Sequence, residues 1–187
     1  MARLESPDEV LVMAAILGDL EAFEELVLRY RAAVVRLART IVGDNYAEDV
    51  AQDALILAFK ALPTIDEPQK FAAWLSAITR HRAFRFNKRE SAQLSKRVGM
   101  DELLLEKIDA LARPLIESSN NEELLQTLDS LPKDYGLPLR LQCLDEMPIK
   151  RIAAFLGLPV STVKWRLHQG KKLMRERMKT RGVIVFN

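Results

Sequence analysis

The sequence IAAFLGLPVSTVKWRL, residues 152–167, has the spacing of a helix-turn-helix. Ala153 is small at the point where two helices would cross, Gly157 supplies the turn, and Val163 fixes the second helix on the first. Ser161 is a residue type that caps helix N-termini, and we expect it to cap the second helix. The stretch therefore predicts two helices joined by a tight turn, an arrangement typical of DNA-binding modules.

The second helix of this pair is predicted to have two distinct faces. At 100° per residue, Val163, Leu167 and Met174 fall on one stripe that faces inward. Trp165 and His168 point outward, together with the neighbouring lysines and arginine. An ordinary helical hairpin with a basic face is the alternative interpretation.

The distribution of charge favours DNA binding. The net charge is only +2, yet residues 131–187 hold 12 Lys and Arg residues against 4 Asp and Glu residues. Residues 80–90 form a second basic island, with 5 against 1, whereas residues 1–79 and 91–130 are acidic. Two basic islands among acidic blocks predict two contacts with a polyanion, unless they are solvated helix faces.

The composition, 49% hydrophobic and 29% charged over 187 residues, is typical of one or two small folded domains. No apolar run approaches the roughly 20 residues of a membrane span. The N-terminus lacks the layout of a signal peptide, so we expect a cytoplasmic protein. Cys143 is the only cysteine and the two histidines are far apart, which argues against an intrachain disulfide and against a metal site built from cysteine or histidine. We expect no cofactor.

The first ninety residues show helical periodicity and no strand pattern. Breaks at Gly18-Asp19 and Gly43-Asp44 predict the ends of a first and a second helix. A third helix is predicted from about Ala47 to Leu62, and a fourth from about Phe71 to Arg89. Residues 91–121 have the composition of a linker with one short helix, DELLLEKIDALA, and helical periodicity resumes after it.

The third predicted helix, EDVAQDALILAFKAL, combines a core face with an unusual outer face. The stripe that we expect to be buried consists of Val50, Ala54, Leu57 and Ala61. Carboxylates in the first turn suit the helix dipole, but apolar side chains beside them favour a docking surface for a basic partner. The outer face consists of Asp49, Gln52, Asp53, Ile56 and Phe59. Chelation of a divalent metal by two of these carboxylates is an alternative that lacks a third ligand.

The fourth predicted helix, FAAWLSAITRHRAFRFNKR, contains the first basic island. Its predicted buried stripe has Trp74 at the edge, where we expect partial burial. The far face places small residues beside Arg80, Phe84 and Asn87, which would let a nucleic-acid backbone or an unstacked base come close. If this face instead packed in the core, Phe84 would be buried.

The order of these motifs resembles that of the extracytoplasmic-function (ECF) sigma factors, the smallest class of bacterial sigma-70-type initiation factors. The segments that match are ILGDLEAFEELVLRY, YAEDVAQDALILAFKAL, FAAWLSAITRHRAFRFNKR, and the pair LLQTLDSLPKDY and IAAFLGLPVSTVKWRLHQGKKLMRERM. No single motif is decisive, but four in the right order and spacing cover nearly the whole chain.

The resemblance implies an all-α fold of two small helical domains joined by a linker. It implies a region 2-like helical bundle over residues 1–93, a linker over 94–121, a region 4-like helix-turn-helix domain over 122–181 and a tail over 182–187. The implied function is that of a non-enzymatic sigma factor, which binds core RNA polymerase and directs promoter-specific initiation. The implied partners are the clamp coiled coil and flap of the polymerase, promoter DNA and an anti-sigma factor.

The resemblance also implies roles for individual residues. Core polymerase would be bound by Asp49, Gln52, Asp53 and Ile56. The minus-ten element would be contacted by Trp74, Arg80, His81, Phe84, Asn87 and Lys88. The minus-thirty-five element would be contacted by Ser161, Thr162, Lys164, Trp165, Arg166, His168, Gln169 and Lys172.

Five positions depart from the pattern of the resembled family. Pro148 replaces the usual Ser that opens the first helix of the pair, and proline is tolerated at the first turn of a helix. His81 stands where the family often has Asn, Arg85 where it often has Asp, and Trp165 where a small Ser is common. Pro138 falls where the family continues a helix, which predicts a kink or a late helix start.

Two other classes of protein are open at the level of sequence. An autonomous helix-turn-helix regulator would dimerise through its first domain, but the acidic outer face of the third helix matches itself poorly. A metal-dependent nucleic-acid enzyme would use Glu48, Asp49 and Asp53, but further ligands and a nucleophile are missing from the pattern.

Overall fold

The computed structural model describes residues 6–97 and 120–180, with side chains for residues 6–91 and 124–179. The described chain is helical and contains no strand. The predicted helix DELLLEKIDALA and the tail from residue 182 lie outside the described residues. The helices are α1 (Asp8–Ile16), α2 (Leu20–Val42), α3 (Asp44–Ala61), α4 (Phe71–Arg97), α5 (Asn120–Ser130), α6 (Lys133–Cys143), α7 (Ile149–Leu156) and α8 (Val160–Thr180).

Helix α2 is the centre of the N-terminal half, where it packs against α1, α3 and α4. Asp19 caps its start, because the carboxylate accepts a hydrogen bond from the backbone N–H of Ala22 at 3.2 Å. Gly43 ends it with a φ of 81°, a conformation that favours glycine. Tyr30 and Val34 are fully buried at its middle. The predicted breaks on both sides of α2 are therefore confirmed.

Helix α3 packs on α2 through small side chains. Ala51, Ala54 and Ala58 are buried, which lets the two helix backbones approach closely. Leu57, which the pattern placed in the core, is 43% exposed, so that prediction is wrong. The buried stripe follows the alanines, and this register turns Leu57 toward solvent.

The C-terminal half contains the predicted helix-turn-helix in α7 and α8. Gly157 adopts the left-handed conformation at φ 68°, and the N–H of Leu158 donates to the carbonyl of Ala153 at 3.0 Å. This cap is one that glycine adopts without strain. Ser161 lies inside α8, which begins at Val160, so the prediction that Ser161 caps the helix is wrong.

Helix α8 is held against α6 by a close contact. A Cβ atom at Gly170 would lie only 2.6 Å from Cδ1 of Leu139, so glycine is needed for this approach. Val163 is also buried on the inner face of α8, as predicted. Pro138 is buried inside α6, which begins at Lys133, so the helix does not start late.

The two halves pack against each other and share one hydrophobic cluster. Phe155 of α7 is fully buried, and its ring stacks on that of Tyr30 in α2 with centroids 6.0 Å apart. Phe71 of α4 meets the same tyrosine edge-on at 5.6 Å. The predicted all-α fold with two helical parts is confirmed, and the two parts form a continuous core in this arrangement.

A polar network lies beside α1 at the interface between the two halves. The hydroxyl group of Tyr30 donates to the carboxylate of Asp8, which also accepts a hydrogen bond from Arg29 at 2.9 Å. The guanidinium of Arg151 in α7 lies 5.9 Å from the centre of the Tyr30 ring. Burial, followed by the hydrogen bond to Asp8, raises the pKa of Tyr30 far above its ordinary value.

Candidate protein and nucleic-acid interfaces

An open groove of about 790 Å³ runs between α2 and α3. Phe23 of α2 and Phe59 of α3 form part of its lining, with ring centroids 4.9 Å apart. Ile56 and Gln52, both predicted docking residues, line the same groove and are exposed. Its remaining lining residues are Leu20, Glu24, Val27, Arg31, Glu48, Ala51 and Leu55. The groove is thus apolar inside, with charged side chains among its lining residues.

The two predicted docking carboxylates have different environments. Asp49 is exposed, next to the groove-lining Glu48 in sequence. Asp53 instead accepts a hydrogen bond from Nε of Arg82 in α4 at 3.0 Å. Asp53 therefore also joins α3 to α4, whereas Asp49 has its side chain directed to solvent.

The carboxylates of α3 form no metal centre in the structure. Within the described residues, no group of three or more His, Cys, Asp or Glu side chains is arranged to hold a metal ion. The salt bridge of Asp53 to Arg82 also engages one of the two carboxylates that a chelate would need. A chelate by Asp49 and Asp53 would therefore require Asp53 to leave Arg82.

The exposed face of α4 is basic around one aromatic ring. Phe84 is 60% exposed, as predicted, and His81 and Lys88 are exposed on either side of it along the helix. Arg85 and Arg89 line the same shallow depression as His81 and Lys88. These two arginines were missed as site residues, although the i, i+4, i+8 spacing from His81 could have found them.

The other three predicted residues of α4 are partly engaged within the fold. Asn87 donates a hydrogen bond to the carbonyl of Ile41 at 2.8 Å, which ties α4 to the end of α2. Arg80 donates to the hydroxyl of Ser76 at 2.9 Å. Trp74 is half-buried beside Phe71, in agreement with the partial burial expected for it.

The outer face of α8 presents most of the predicted contacts to solvent. The exposed side chains are Ser161, Lys164, Trp165, His168 and Lys172, while Thr162, Arg166 and Gln169 are half-buried. Lys171 and Arg175 are also exposed and extend the basic surface toward the C-terminus of α8. Both fall in the basic C-terminal block and could have been added from its charge alone.

Two of the α8 side chains are held by α6. Nη1 of Arg166 lies 3.0 Å from a carboxylate oxygen of Asp134. The ring of Trp165 leans on that of Tyr135, with centroids 5.9 Å apart and an interplanar angle of 58°. Arg166 is therefore already paired within the fold, whereas 54% of Trp165 is open to solvent.

Comparison with known proteins decides the family. The sigma-70 region 2 model matches residues 26–93, and the sigma-70 region 4 model matches residues 121–174. The ECF RNA polymerase sigma-E factor of Escherichia coli is 30% identical over 175 residues, which cover 88% of this chain and 91% of that protein. The chain belongs to the ECF sigma factors.

Further similar proteins agree with this assignment. The ECF RNA polymerase sigma factor SigW of Bacillus subtilis is 29% identical over 177 residues, or 87% of this sigma factor and 91% of SigW. The solved structure of CnrH in complex with the cytosolic domain of CnrY has the same fold. It matches with a TM-score of 0.59 and 23% identity over 94% of this chain and 99% of CnrH.

The matched regions coincide with the two halves of this sigma factor. Region 2 covers most of α2, all of α3 and most of α4, and region 4 covers α5 to α8 as far as Met174. The predicted family and its role in transcription initiation are confirmed, and proteins of this family are initiation factors rather than enzymes. Among the described helices, none has the length and hydropathy needed to span a membrane.

Proposed function

We propose that this sigma factor docks on core RNA polymerase through the outer face of α3 and the groove beside it, and contacts promoter DNA through α4 and α8. The observation that supports this most strongly is the division of its exposed surfaces. The α3 surface is apolar and acidic, whereas those of α4 and α8 are basic. Surfaces of opposite character suit two different partners, one a protein and the other a nucleic acid.

The α3 surface has the chemistry of a docking site for a basic helical partner. Ile56 and Phe59 are exposed along the groove and would be buried by a partner helix. Asp49 and Gln52 are exposed and offer acceptors to basic side chains of that partner. In our proposal this partner is the clamp coiled coil of the largest polymerase subunit, and the flap contacts the region 4 half.

The α4 surface suits an unpaired base of the minus-ten element. Phe84 offers a ring on which a base can stack, a contact of about 1–3 kcal/mol in single-strand binding proteins. Lys88 lies on the exposed side of the same helix, where its charge would meet the adjacent phosphates, and His81 is exposed one turn before Phe84. Asn87 and Arg80 would first have to exchange their partners Ile41 and Ser76 for DNA.

The α8 surface suits the major groove of the minus-thirty-five element. In a helix-turn-helix, the N-terminal residues of the second helix contact base edges. Lys164 and His168 are exposed there, and Lys171, Lys172 and Arg175 follow within reach of the DNA backbone.

Contact with both elements requires the two halves to separate. B-DNA rises about 3.4 Å per base pair, so elements about 25 base pairs apart lie roughly 85 Å apart. The stacking of Phe155 on Tyr30 holds α7 against α2 and α4, and it has to break before the halves can span that distance. We infer that polymerase binding shifts the chain from the packed form to an open one. An anti-sigma factor that bridged the halves would oppose that shift.

Run-off transcription with purified core polymerase on a library of promoter fragments tests the proposed function. We expect initiation at specific fragments only when the full-length protein is added. A protein that fails to bind core polymerase would contradict the proposal. Core-independent binding to symmetric DNA sites by a dimer would instead support the autonomous regulator, which the family comparisons do not favour.

A further inference from the structure

Trp165 occupies a central place on the exposed face of α8. It is the sixth residue of the helix and lies on a stripe with Ser161, His168 and Lys172, all of them exposed. Tyr135 supports one side of the indole ring, and more than half of the side chain stays open to solvent. A large ring held on one side and bare on the other is preorganised for contact with another surface.

The buried anchors of α8 lie on its inner face, away from this ring. The helix is anchored on its inner face by Val163 and Leu167, which are buried, and by the close approach of Gly170 to Leu139. The contact with Tyr135 covers one part of the Trp165 ring, yet 54% of the side chain stays exposed on a basic face. Its position therefore points to a ligand.

For the apolar face of the indole ring, the chemistry of the major groove favours one group as the ligand. Base edges there present hydrogen-bond donors and acceptors, and the only apolar group among them is the 5-methyl group of thymine. Phosphates pair with cations, which Lys164 and Lys172 already supply on this face. Arg166, the residue type that most often recognises guanine, is paired with Asp134 instead.

We propose that Trp165 recognises a thymine of the minus-thirty-five element through contact of its indole ring with the 5-methyl group. This inference rests on the proposed promoter contact of α8 and names the base that it selects. Burial of one methyl group is worth about fourfold in affinity, or about 0.8 kcal/mol. Removal of the methyl group alone should therefore weaken promoter binding by about that factor.

The test compares thymine with deoxyuridine, which lacks only the methyl group. A promoter is first selected from a random DNA library by core polymerase with the full-length sigma factor. Each thymine of its upstream element is then replaced singly by deoxyuridine, and binding of the holoenzyme is measured by competition. We expect one replacement to weaken binding about fourfold with the wild-type protein and to have no effect with Trp165→Ala.

Two control variants separate recognition from general affinity. Trp165→Phe keeps an apolar ring and should retain most of the preference for thymine. Lys171→Ala should weaken binding to the thymine and deoxyuridine fragments equally and lower the salt dependence, as loss of a phosphate contact does.

The outcomes distinguish this inference from the proposed function. If no fragment is selected by the holoenzyme, the proposed function fails. The inference alone is overturned if a promoter is selected and every deoxyuridine is tolerated. It is equally overturned if the penalty for deoxyuridine persists in Trp165→Ala, or if the upstream element contains no thymine.

Discussion

The carboxylate of Asp145 accepts two hydrogen bonds from the guanidinium of Arg36, one from Nε at 2.6 Å and one from Nη2 at 2.7 Å. The pair joins the loop before α7 to α2 and so connects the two halves of the chain. Only 9% of the Asp145 side chain and 20% of that of Arg36 are exposed. Because a bidentate, largely buried pair is weakly screened by solvent, it contributes to the packed form, which in our proposal opens on the promoter.

Replacement of Asp145 by Asn should favour separation of the halves. The substitution leaves the Arg36 charge largely buried without a counterion, which costs about 3 kcal/mol in the packed form. We expect a larger radius of gyration in small-angle X-ray scattering and faster hydrogen exchange in α7. The control is Glu48→Gln, which removes the pair of Glu48 with Arg31, where both side chains are about 60% exposed. The free energy of unfolding of that variant should stay within about 1 kcal/mol of the wild-type value. The prediction is contradicted if the two variants have the same radius of gyration and the same hydrogen exchange in α7.

Alanine substitutions at two glycines should destabilise the C-terminal half for different reasons. In Gly157→Ala the added Cβ has no neighbouring atom within 4 Å. The backbone at this position is left-handed, with a φ of 68°, which costs a residue with a Cβ about 1–2 kcal/mol. Gly170→Ala forces a Cβ against Leu139, an overpacking effect of about 1–3 kcal/mol. Combined with Gly170→Ala, Leu139→Ala should lower thermal stability by less than the sum of the two single losses. Combined with Gly157→Ala, it should lower thermal stability by the full sum. Additive losses in both double variants would refute the steric explanation.

The sequence predicts the helices and the helix-turn-helix well, because both follow from local patterns. Gly157 marks the turn by its position between two apolar stripes, and Gly43 marks the end of α2. The sequence predicts less well which side chains on the outer faces of the helices are available to a partner. Asp53 and Asn87 both lie on outer arcs of their helices, yet each is engaged by another helix, through Arg82 and Ile41. Such long-range partners depend on how helices pack, which helical periodicity alone does not specify.

Ala substitution of Asp49 and Gln52 should separate docking from folding. Both side chains are exposed, so their loss should change the free energy of unfolding by less than about 0.5 kcal/mol. Affinity for core polymerase should fall at least tenfold in the double variant, measured by fluorescence titration with labelled protein. Asp53→Ala is the matched comparison, because loss of its bond to Arg82 should lower stability as well as affinity. Unchanged core affinity in Asp49→Ala/Gln52→Ala would refute the docking surface.

High pH should weaken the fold through Tyr30. An unfolded tyrosine loses its proton near pH 10, whereas folded Tyr30 keeps it because burial and the bond to Asp8 raise its pKa. The contribution of Tyr30 to the free energy of unfolding is therefore fully present below about pH 10. Above that pH the unfolded state binds fewer protons, and the free energy of unfolding falls by about 1.4 kcal/mol per pH unit.

Comparison with Tyr30→Phe isolates this effect from other groups that titrate in the same range. The variant should be less stable by about 1 kcal/mol at pH 7, since the hydrogen bond to Asp8 is lost. Urea unfolding from pH 7 to 11 gives the free energy of unfolding of both proteins as a function of pH. Above pH 10 the wild-type value should fall toward that of the variant. Arg29 holds Asp8 in both proteins. Parallel curves over the whole range would mean that Tyr30 ionises as readily in the folded chain as in the unfolded one.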